Sequence, residues 1–146
     1  MPNNQFRRGE LYSFITGLAS TALARRLQKN FKQNGVDITI EQWSVLYHLW
    51  KHDGMSQQEL CEASYRDKPS ITRLLDNLER QGLVQRVPSK DDRRMKRIFL
   101  TTAGAGLRDS TMDLANKTLN EALEGVPAKE IELCKSVLQR VYDNLT

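Results

Sequence analysis

Cysteine and long apolar runs are scarce in this chain, and each scarcity excludes a class of protein. The 146 residues include two cysteines. Cys61 and Cys134 lie far apart in the sequence, which is neither a disulfide framework nor a metal-binding set. The mean hydropathy is −0.58 and there is no long apolar run, so no membrane span is expected. Residues 1–8 lead into no apolar core of a secretory signal. We therefore expect a reduced, cytoplasmic protein with no membrane partner.

Patterns that carry catalysis or bind metal are also missing. No Ser/His/Asp set, carboxylate pair or glycine-rich phosphate loop stands out, so we expect neither an enzyme nor a cofactor. His48 and His52 are four residues apart and could share a metal ion. Two histidines without a third ligand are more typical of an ordinary helix surface, and no metal site is predicted. A redox role stays open for both cysteines, although Cys134 fits a small core residue and Cys61 has no evident cationic neighbour.

Positive charge is concentrated in the middle of the chain. The net charge is +4, but residues 66–97 carry ten Lys and Arg against five Asp and Glu, a net of +5. Residues 1–65 carry +1 and residues 102–146 carry −2. A focused basic segment is what binding to the phosphate backbone of nucleic acid needs. A solvated basic surface would have the same composition.

The first third of the chain is predicted to be helical. Apolar residues at helical spacing predict a long helix over residues 10–34, with Gly35 as its stop. Thr39 and Gln42 form a capping box before a second apolar stripe. The sequence therefore predicts a second helix from Thr39 to about residues 52–54.

A helix-turn-helix is predicted next. Ser56 and Glu59 form another capping box at the start of a short helix. Residues 65–68 make a turn, and Pro69 begins a helix over residues 69–82. The buried stripe of that helix consists of Ile71, Leu74, Leu75 and Leu78, at the i, i+3, i+4, i+7 spacing.

A β-hairpin wing follows the helix-turn-helix. Strands are predicted over residues 83–87 and 98–101, with the loop 88–97 at the tip of the hairpin. The predicted fold is therefore mostly α with a small β-hairpin wing, and residues 36–101 form a winged helix-turn-helix domain.

The two ends of the chain, residues 1–35 and 102–146, are predicted to form a helical dimerisation region. One long helix is expected over residues 102–124, and a last helix over 128–145 has an apolar heptad seam. The seam is too short for a free coiled coil and suits packing against other helices, within the chain or between two chains. The predicted dimerisation residues are Leu11 and Ile15 in the first helix, and Ile131, Leu138, Val141 and Leu145 in the last.

The predicted DNA contacts lie on the second helix of the helix-turn-helix and on the wing. Arg73 is the best candidate for base recognition, because a guanidinium can bind both acceptors of guanine. An exposed arginine paired with Asp76 or Asn77 is the alternative. The other residues assigned to DNA are Ser56, Gln57, Lys68, Ser70, Thr72, Lys90, Arg93 and Arg94. Asp92 is assigned to the shape of the wing tip, either by pairing with an arginine or by forming a turn.

Several segments together resemble the MarR family of bacterial transcriptional regulators. The most specific is the D-x-R-x5-L-T pattern that runs from Asp92 to Thr101. The family's second helix is similar to residues 39–46, and its helix-turn-helix to residues 56–60 and 69–79. The exit of its recognition helix is similar to residues 81–84, and the start of the helix after the wing to residues 102–104. The resemblance covers nearly the whole chain.

The resemblance implies a homodimer in which the first and last helices of two chains interlock. It further implies a repressor, less often an activator, that binds a palindromic operator with helix 69–82 in the major groove and the wing in the minor groove. DNA would be released by an unknown small-molecule effector. The family's peroxide sensors carry a cysteine early in the first helix, and its zinc sensors use histidines after the wing. This chain has neither, so both subclasses are disfavoured.

A second function is kept open: a winged-helix module that binds protein and not DNA. The basic residues on the recognition helix and wing argue against it. The two hypotheses differ in the salt dependence of binding to random DNA, which is steep only for a phosphate-binding protein.

Overall fold

The computed structural model describes residues 4–146, with side chains from residue 9 onward. The elements are α1 (Asn4–Ser13), a π-helical segment (Phe14–Leu18), α2 (Ala19–Gln33), α3 (Ile40–Lys51), β1 (Met55–Ser56), α4 (Gln57–Ser64), α5 (Lys68–Arg80), β2 (Val84–Pro88), β3 (Lys96–Leu100), α6 (Thr102–Gly106), α7 (Arg108–Ala122) and α8 (Ala128–Leu145). The predicted fold class is confirmed: the chain is mostly helical, with a small antiparallel sheet. Within the part of the chain described, no helix is long and apolar enough to cross a membrane.

The first helix differs from the prediction at its start and in its middle. It begins at Asn4 and passes through the π-helical segment before α2 ends at Gln33. The hydroxyl of Thr16 donates to the backbone oxygen of Tyr12 at 2.7 Å, and such side-chain bonds compete with the regular backbone ladder. The predicted stop is present, because Gly35 has a φ of 71° that favours glycine.

Both predicted capping boxes are confirmed. Thr39 caps α3 and Ser56 caps α4, and in each case the side chain three residues later bonds back to the capping residue. The turn of the helix-turn-helix is shorter than predicted. Asp67 caps α5, and Lys68 is already helical. Tyr65 at the end of α4 has left-handed backbone angles.

The wing is part of a three-stranded sheet with the order β1-β3-β2, not a hairpin alone. Val84 pairs with Leu100 and Pro88 with Lys96 across the hairpin. Met55 pairs with Ile98 on the other edge of β3. The third strand was not predicted because two residues carry no readable periodicity.

The long helix predicted over residues 102–124 is wrong in its first part. α6 ends at Gly106, and α7 starts at Arg108 after a break at Leu107. The backbone oxygen of Gly104 accepts the indole N–H of Trp50 at 3.0 Å and the backbone N–H of Leu107 at 3.4 Å, in place of the single i+4 bond of a continuous α-helix. Gly104 is buried, and a Cβ there would collide with the backbone oxygen of Leu83.

The hydrophobic core lies under the helix-turn-helix and the sheet. Its fully buried side chains include Phe31, Val45, Leu46, Leu49, Leu60, Ile71, Leu75, Leu78 and Ile98. α2 reaches this core through Leu27 and Phe31. The winged domain therefore contains the core, and the N-terminal helix contributes only its last turns.

The outer helices leave apolar side chains exposed. The exposed set includes Leu11, Tyr12, Phe14, Ile15 and Leu18 near the N-terminus, and Leu133, Val137, Leu138, Tyr142 and Leu145 on α8. No residue of α8 is buried. Cys134 was expected to act as a core residue, but it is exposed in the single chain. The reason is that α8 has an apolar seam with too few neighbours in its own chain to cover it.

Candidate nucleic-acid interface

α5 has one face in the core and one face in solvent. Ile71, Leu74, Leu75 and Leu78 are buried as predicted. The helix starts at Asp67, whose carboxylate accepts the backbone N–H of Ser70 at 2.8 Å. This bond lowers the pKa of Asp67 from its usual value. Asp67 therefore caps α5, although the sequence prediction had assigned it only to the turn.

Arg73 lies on the exposed face of α5. Within the described residues its guanidinium forms neither a salt bridge nor a side-chain hydrogen bond. The alternative pairing with Asp76 or Asn77 is absent: Asp76 binds Arg86, and Asn77 accepts a bond from Arg80 at 3.1 Å. The donors of Arg73 are therefore available to an external acceptor.

Gln57 and Thr72 bind each other across the helix-turn-helix. The amide of Gln57 donates to the hydroxyl oxygen of Thr72 at 2.5 Å. The hydroxyl of Thr72 donates to the backbone oxygen of Lys68 at 2.8 Å. Thr72 was assigned to DNA, but its only proton is used within α5. Its geometry fits a residue that joins α4 to α5.

Ser56 was also assigned to DNA, but the structure exposes little of it. It is 6% exposed, and its hydroxyl oxygen accepts the backbone N–H of Glu59 at 3.1 Å. Its cap role was visible in the sequence, and this role uses the hydroxyl oxygen as an acceptor within α4. Lys68 is exposed and Ser70 is half-buried at the first turn of α5.

The wing tip is an ordered turn with exposed cations. Asp92 accepts the backbone N–H of Arg94 on its carboxylate at 3.0 Å, and its backbone oxygen accepts the N–H of Met95 at 3.0 Å. Of the two interpretations of Asp92, the structure has the turn-forming one. Lys90, Arg93 and Arg94 are exposed, with no salt bridge in the described part of the chain.

The base of the wing is hydrogen-bonded to the residue that precedes β1. Arg97 donates to the backbone oxygen of Gly54 at 3.0 Å and is half-buried. It lies in β3, so it does not belong to the loop at the tip, where the sequence had placed it. A cleft of about 500 Å³ separates the wing from α4, with Lys68, Arg94 and Lys96 among its lining residues.

Sequence reasoning missed Arg86, which joins the wing to α5. Its guanidinium lies 2.7 Å from the Asp76 carboxylate and 3.5 Å from the Glu79 carboxylate. It also donates to the backbone oxygen of Thr72 at 3.4 Å. A sequence signal could have predicted this ion pair. Asp76 and Glu79 are three residues apart on one helix, and Arg86 is the cation on the strand that follows.

A chain of glutamines connects α5 to the N-terminal helix. The amide of Gln42, 5% exposed, donates to the side-chain oxygen of Gln81 at 2.9 Å. Gln81 donates to the backbone oxygen of Asp37 at 3.1 Å. Gln28 of α2 binds both the backbone oxygen of Ile38 and the N–H of Ile40. The start of α3 is therefore bonded to α2 on one side and to the end of α5 on the other.

The remaining candidates show no sign of an activated group. Burial and nearby carboxylates, chiefly that of Asp67, raise the pKa of Cys61, which disfavours its thiolate. Burial and the charge of Lys51 lower the pKa of His48. In the described portion of the chain, no three His, Cys, Asp or Glu residues are placed to hold a metal ion.

The chain is similar in sequence and fold to known transcriptional regulators. Residues 38–96 match the MarR family profile. The organic hydroperoxide resistance transcriptional regulator of Bacillus subtilis is 29% identical over 126 residues, which is 85% of this chain and 84% of that protein. S. aureus MepR, solved as a complex with DNA, is 31% identical with a TM-score of 0.79, over 92% of this chain and 98% of that one. Apo MarR from E. coli is 26% identical with a TM-score of 0.72, over 91% of this chain and 95% of that one. The chain belongs to the MarR family of winged-helix transcriptional regulators.

Proposed function

We propose that this protein is a homodimeric repressor that binds a palindromic DNA operator and releases it when a small effector binds. The observation that carries the proposal is the exposed face of α5, where Arg73 has no partner within the described residues, beside a wing tip with three exposed cations. An unpaired guanidinium on a helix that is rigidly packed on its other face suits base recognition in the major groove. No catalytic residue is part of this proposal.

The wing would act at the adjacent minor groove. A hairpin tip is too narrow to contact a major groove by itself, but it can insert an arginine where the negative potential of the minor groove is strongest. Arg94 is the arginine of the D-x-R pattern, and its backbone is held by Asp92. Lys90 and Arg93 would contact phosphates, and Lys68 would do the same at the start of α5. Ser70 would contact a phosphate or a base edge from the same turn of the helix.

A dimer is supported by the apolar surface of the outer helices. The N-terminal helix and α8 each leave large apolar side chains exposed, and soluble monomers seldom expose large apolar patches. All six residues predicted for dimerisation, Leu11, Ile15, Ile131, Leu138, Val141 and Leu145, are exposed or half-buried in the single chain. In this proposal residues 1–35 and 102–146 form the dimerisation region, and residues 36–101 bind one operator half-site.

The effector would act on the angle between the dimerisation region and the recognition helix. The glutamine contacts support this route, because Gln28 binds the start of α3, and Gln42 binds Gln81 directly after α5. A ligand that tilts α2 relative to α3 would therefore move the end of the recognition helix. Both recognition helices must keep their spacing to occupy two half-sites at once.

The test is DNA binding by the full chain at several salt concentrations. A phosphate-binding protein loses affinity for random duplex DNA steeply as salt rises, in proportion to the number of phosphates that it contacts. A flat response, or no binding at low salt, would support the protein-interaction module instead.

Base recognition is tested with Arg73→Ala. The preferred duplex is first selected from a random library with the unaltered protein. Arg73→Ala should then lose roughly 1–3 kcal/mol of binding free energy per half-site and relax preference at one base-pair position. Arg80→Ala is the matched control, since Arg80 lies at the far end of α5 and binds Asn77. An unchanged base preference in Arg73→Ala would refute the assigned role.

A further inference from the structure

We propose that Arg86 is a positioning residue for base recognition, because its guanidinium keeps the Asp76 carboxylate from pairing with Arg73. This inference rests on the proposed function, in which Arg73 contacts a base. Arg86 itself would touch no base. Its effect on DNA specificity would pass through two side chains of α5.

The contacts of Arg86 are closer and more numerous than those of an ordinary surface ion pair. Its side chain is 16% exposed, and it holds Asp76 at 2.7 Å and Glu79 at 3.5 Å. A third bond, at 3.4 Å, goes to the backbone oxygen of Thr72. The other salt bridge of the described residues, between Arg26 and Glu121, spans 3.9 Å with both partners about half exposed. Arg86 is thus held in one place by three groups of α5.

Without Arg86, Asp76 would have two cations within reach on its own helix, Arg73 and Arg80, and Arg80 already donates to the side-chain oxygen of Asn77 at 3.1 Å. Arg73 and Asp76 are three residues apart, a spacing at which opposite charges on a helix pair. In the structure Arg73 has no such bond in the described residues, and Asp76 is bound from the wing side. A guanidinium that is paired with a carboxylate has lost donors that guanine needs, and it must break that pair before it binds the base.

Arg86 also neutralises acids that would repel DNA. Asp76 and Glu79 are both exposed on α5, close to the surface proposed to enter the groove. Their two negative charges face one arginine from β2. In a simpler role, the same contacts would serve only to hold the wing against α5. The two roles predict different discrimination between DNA duplexes when Asp76 loses its charge in a protein that lacks Arg86.

The experiment is a double-variant cycle on the full chain, with Arg86→Gln, Asp76→Asn and the two combined. Dissociation constants are measured for the selected operator and for a duplex changed at the base pair whose preference Arg73→Ala abolishes. Thermal unfolding reports whether each variant is folded. Arg80→Gln is the matched control, because it removes one positive charge from the end of the same helix.

In Arg86→Gln, the ratio of the dissociation constants for the two duplexes should fall about tenfold, which is the scale of one arginine–guanine contact. The combined variant should regain the discrimination of the unaltered protein, because the asparagine that replaces Asp76 carries no charge to bind Arg73. Asp76→Asn alone should discriminate normally. Arg80→Gln should weaken binding to both duplexes equally.

The proposal is overturned by either of two results. One is normal discrimination by folded Arg86→Gln, and the other is a combined variant that still cannot discriminate, which would leave Arg86 as a wing anchor only. If Arg86→Gln alone does not fold, the combined variant decides by the same criterion. Failure of the proposed function looks different, because Arg73→Ala itself would then keep its base preference.

Discussion

Gln57 and Thr72 are joined by a hydrogen bond of 2.5 Å that links the first helix of the helix-turn-helix to the second. Thr72 also donates its own proton to the backbone oxygen of Lys68. Both residues were expected to contact DNA. The bond between them links α4 to α5, and the proposed DNA contacts of α5 would depend on how these two helices are oriented.

Thr72→Val therefore tests geometry and contact separately. Valine keeps the shape of threonine but leaves the half-buried amide of Gln57 without its acceptor. Unfolding should become easier by about 1 kcal/mol, and DNA affinity should fall without any change in base preference. Chemical denaturation and binding to single-base operator variants check this. Thr72→Ser, which retains the hydroxyl, is the control. A changed base preference in Thr72→Val would mean that the hydroxyl itself contacts a base.

The wing tip should respond to the geometry of Asp92 and not to its charge. Asp92→Ala removes the acceptor of the Arg94 N–H and should reduce affinity for all DNA sequences alike. Asp92→Asn keeps an oxygen acceptor and should bind as well as the unaltered protein or better, since a negative charge near phosphate is gone. Equal losses in both variants would show that the charge of Asp92 is what the tip needs.

Arg94→Ala should reduce DNA affinity more than Asp92→Ala does. It should weaken binding to every duplex and make the salt dependence shallower, because a contact to the DNA backbone or minor groove is lost. Affinity at several salt concentrations measures both quantities. A change in the major-groove bases that are preferred would contradict a minor-groove position.

The apolar seam of α8 should hold two chains together. The unaltered protein should sediment at about 34 kDa, twice the mass of one chain, and Leu138→Glu should shift it toward 16.8 kDa. Ser136→Glu is the matched control, since Ser136 lies on the opposite side of α8 from the seam. Operator affinity should fall with the dimer, because a monomer occupies one half-site only. A monomer of the unaltered chain that binds a palindrome tightly would exclude this arrangement.

Gly104 should tolerate no side chain. A Cβ there would collide with the backbone oxygen of Leu83, which is itself bonded to the N–H of Thr101. Gly104→Ala should lower the free energy of unfolding by about 1–3 kcal/mol, as overpacking does. Gly106→Ala, where a Cβ meets nothing within 4 Å, should be neutral or slightly stabilising. Thermal unfolding of the two variants checks the contrast.

Local signals were enough to predict most elements of the winged domain. The caps at Thr39 and Ser56 and the buried stripe of α5 are short-range patterns, in which the residues that decide the structure lie within one or two turns. These predictions are confirmed. The assigned DNA and dimer contacts stay predictions, and of the DNA set Ser56 is nearly buried.

The features that the sequence did not predict share a physical cause: each involves residues that are distant in the sequence and in contact in the fold. The break at Leu107 lies beside a hydrogen bond to the oxygen of Gly104 from Trp50, more than fifty residues earlier. β1 exists only because Met55 lies beside Ile98. Neither interaction produces a periodic pattern of apolar residues in the segment where it occurs.

The sequence by itself determined the family, the order of helices and wing, and the concentration of positive charge, because these depend on composition and on spacing along the chain. Only the tertiary structure decided which polar side chains are available to DNA. Arg73 is unpaired among the described residues, while Thr72 binds Gln57 of α4 and Asp76 binds Arg86 of β2. A hydrogen bond or ion pair needs its two partners within about 3–4 Å, and the distance between residues of different elements is set only when the chain folds.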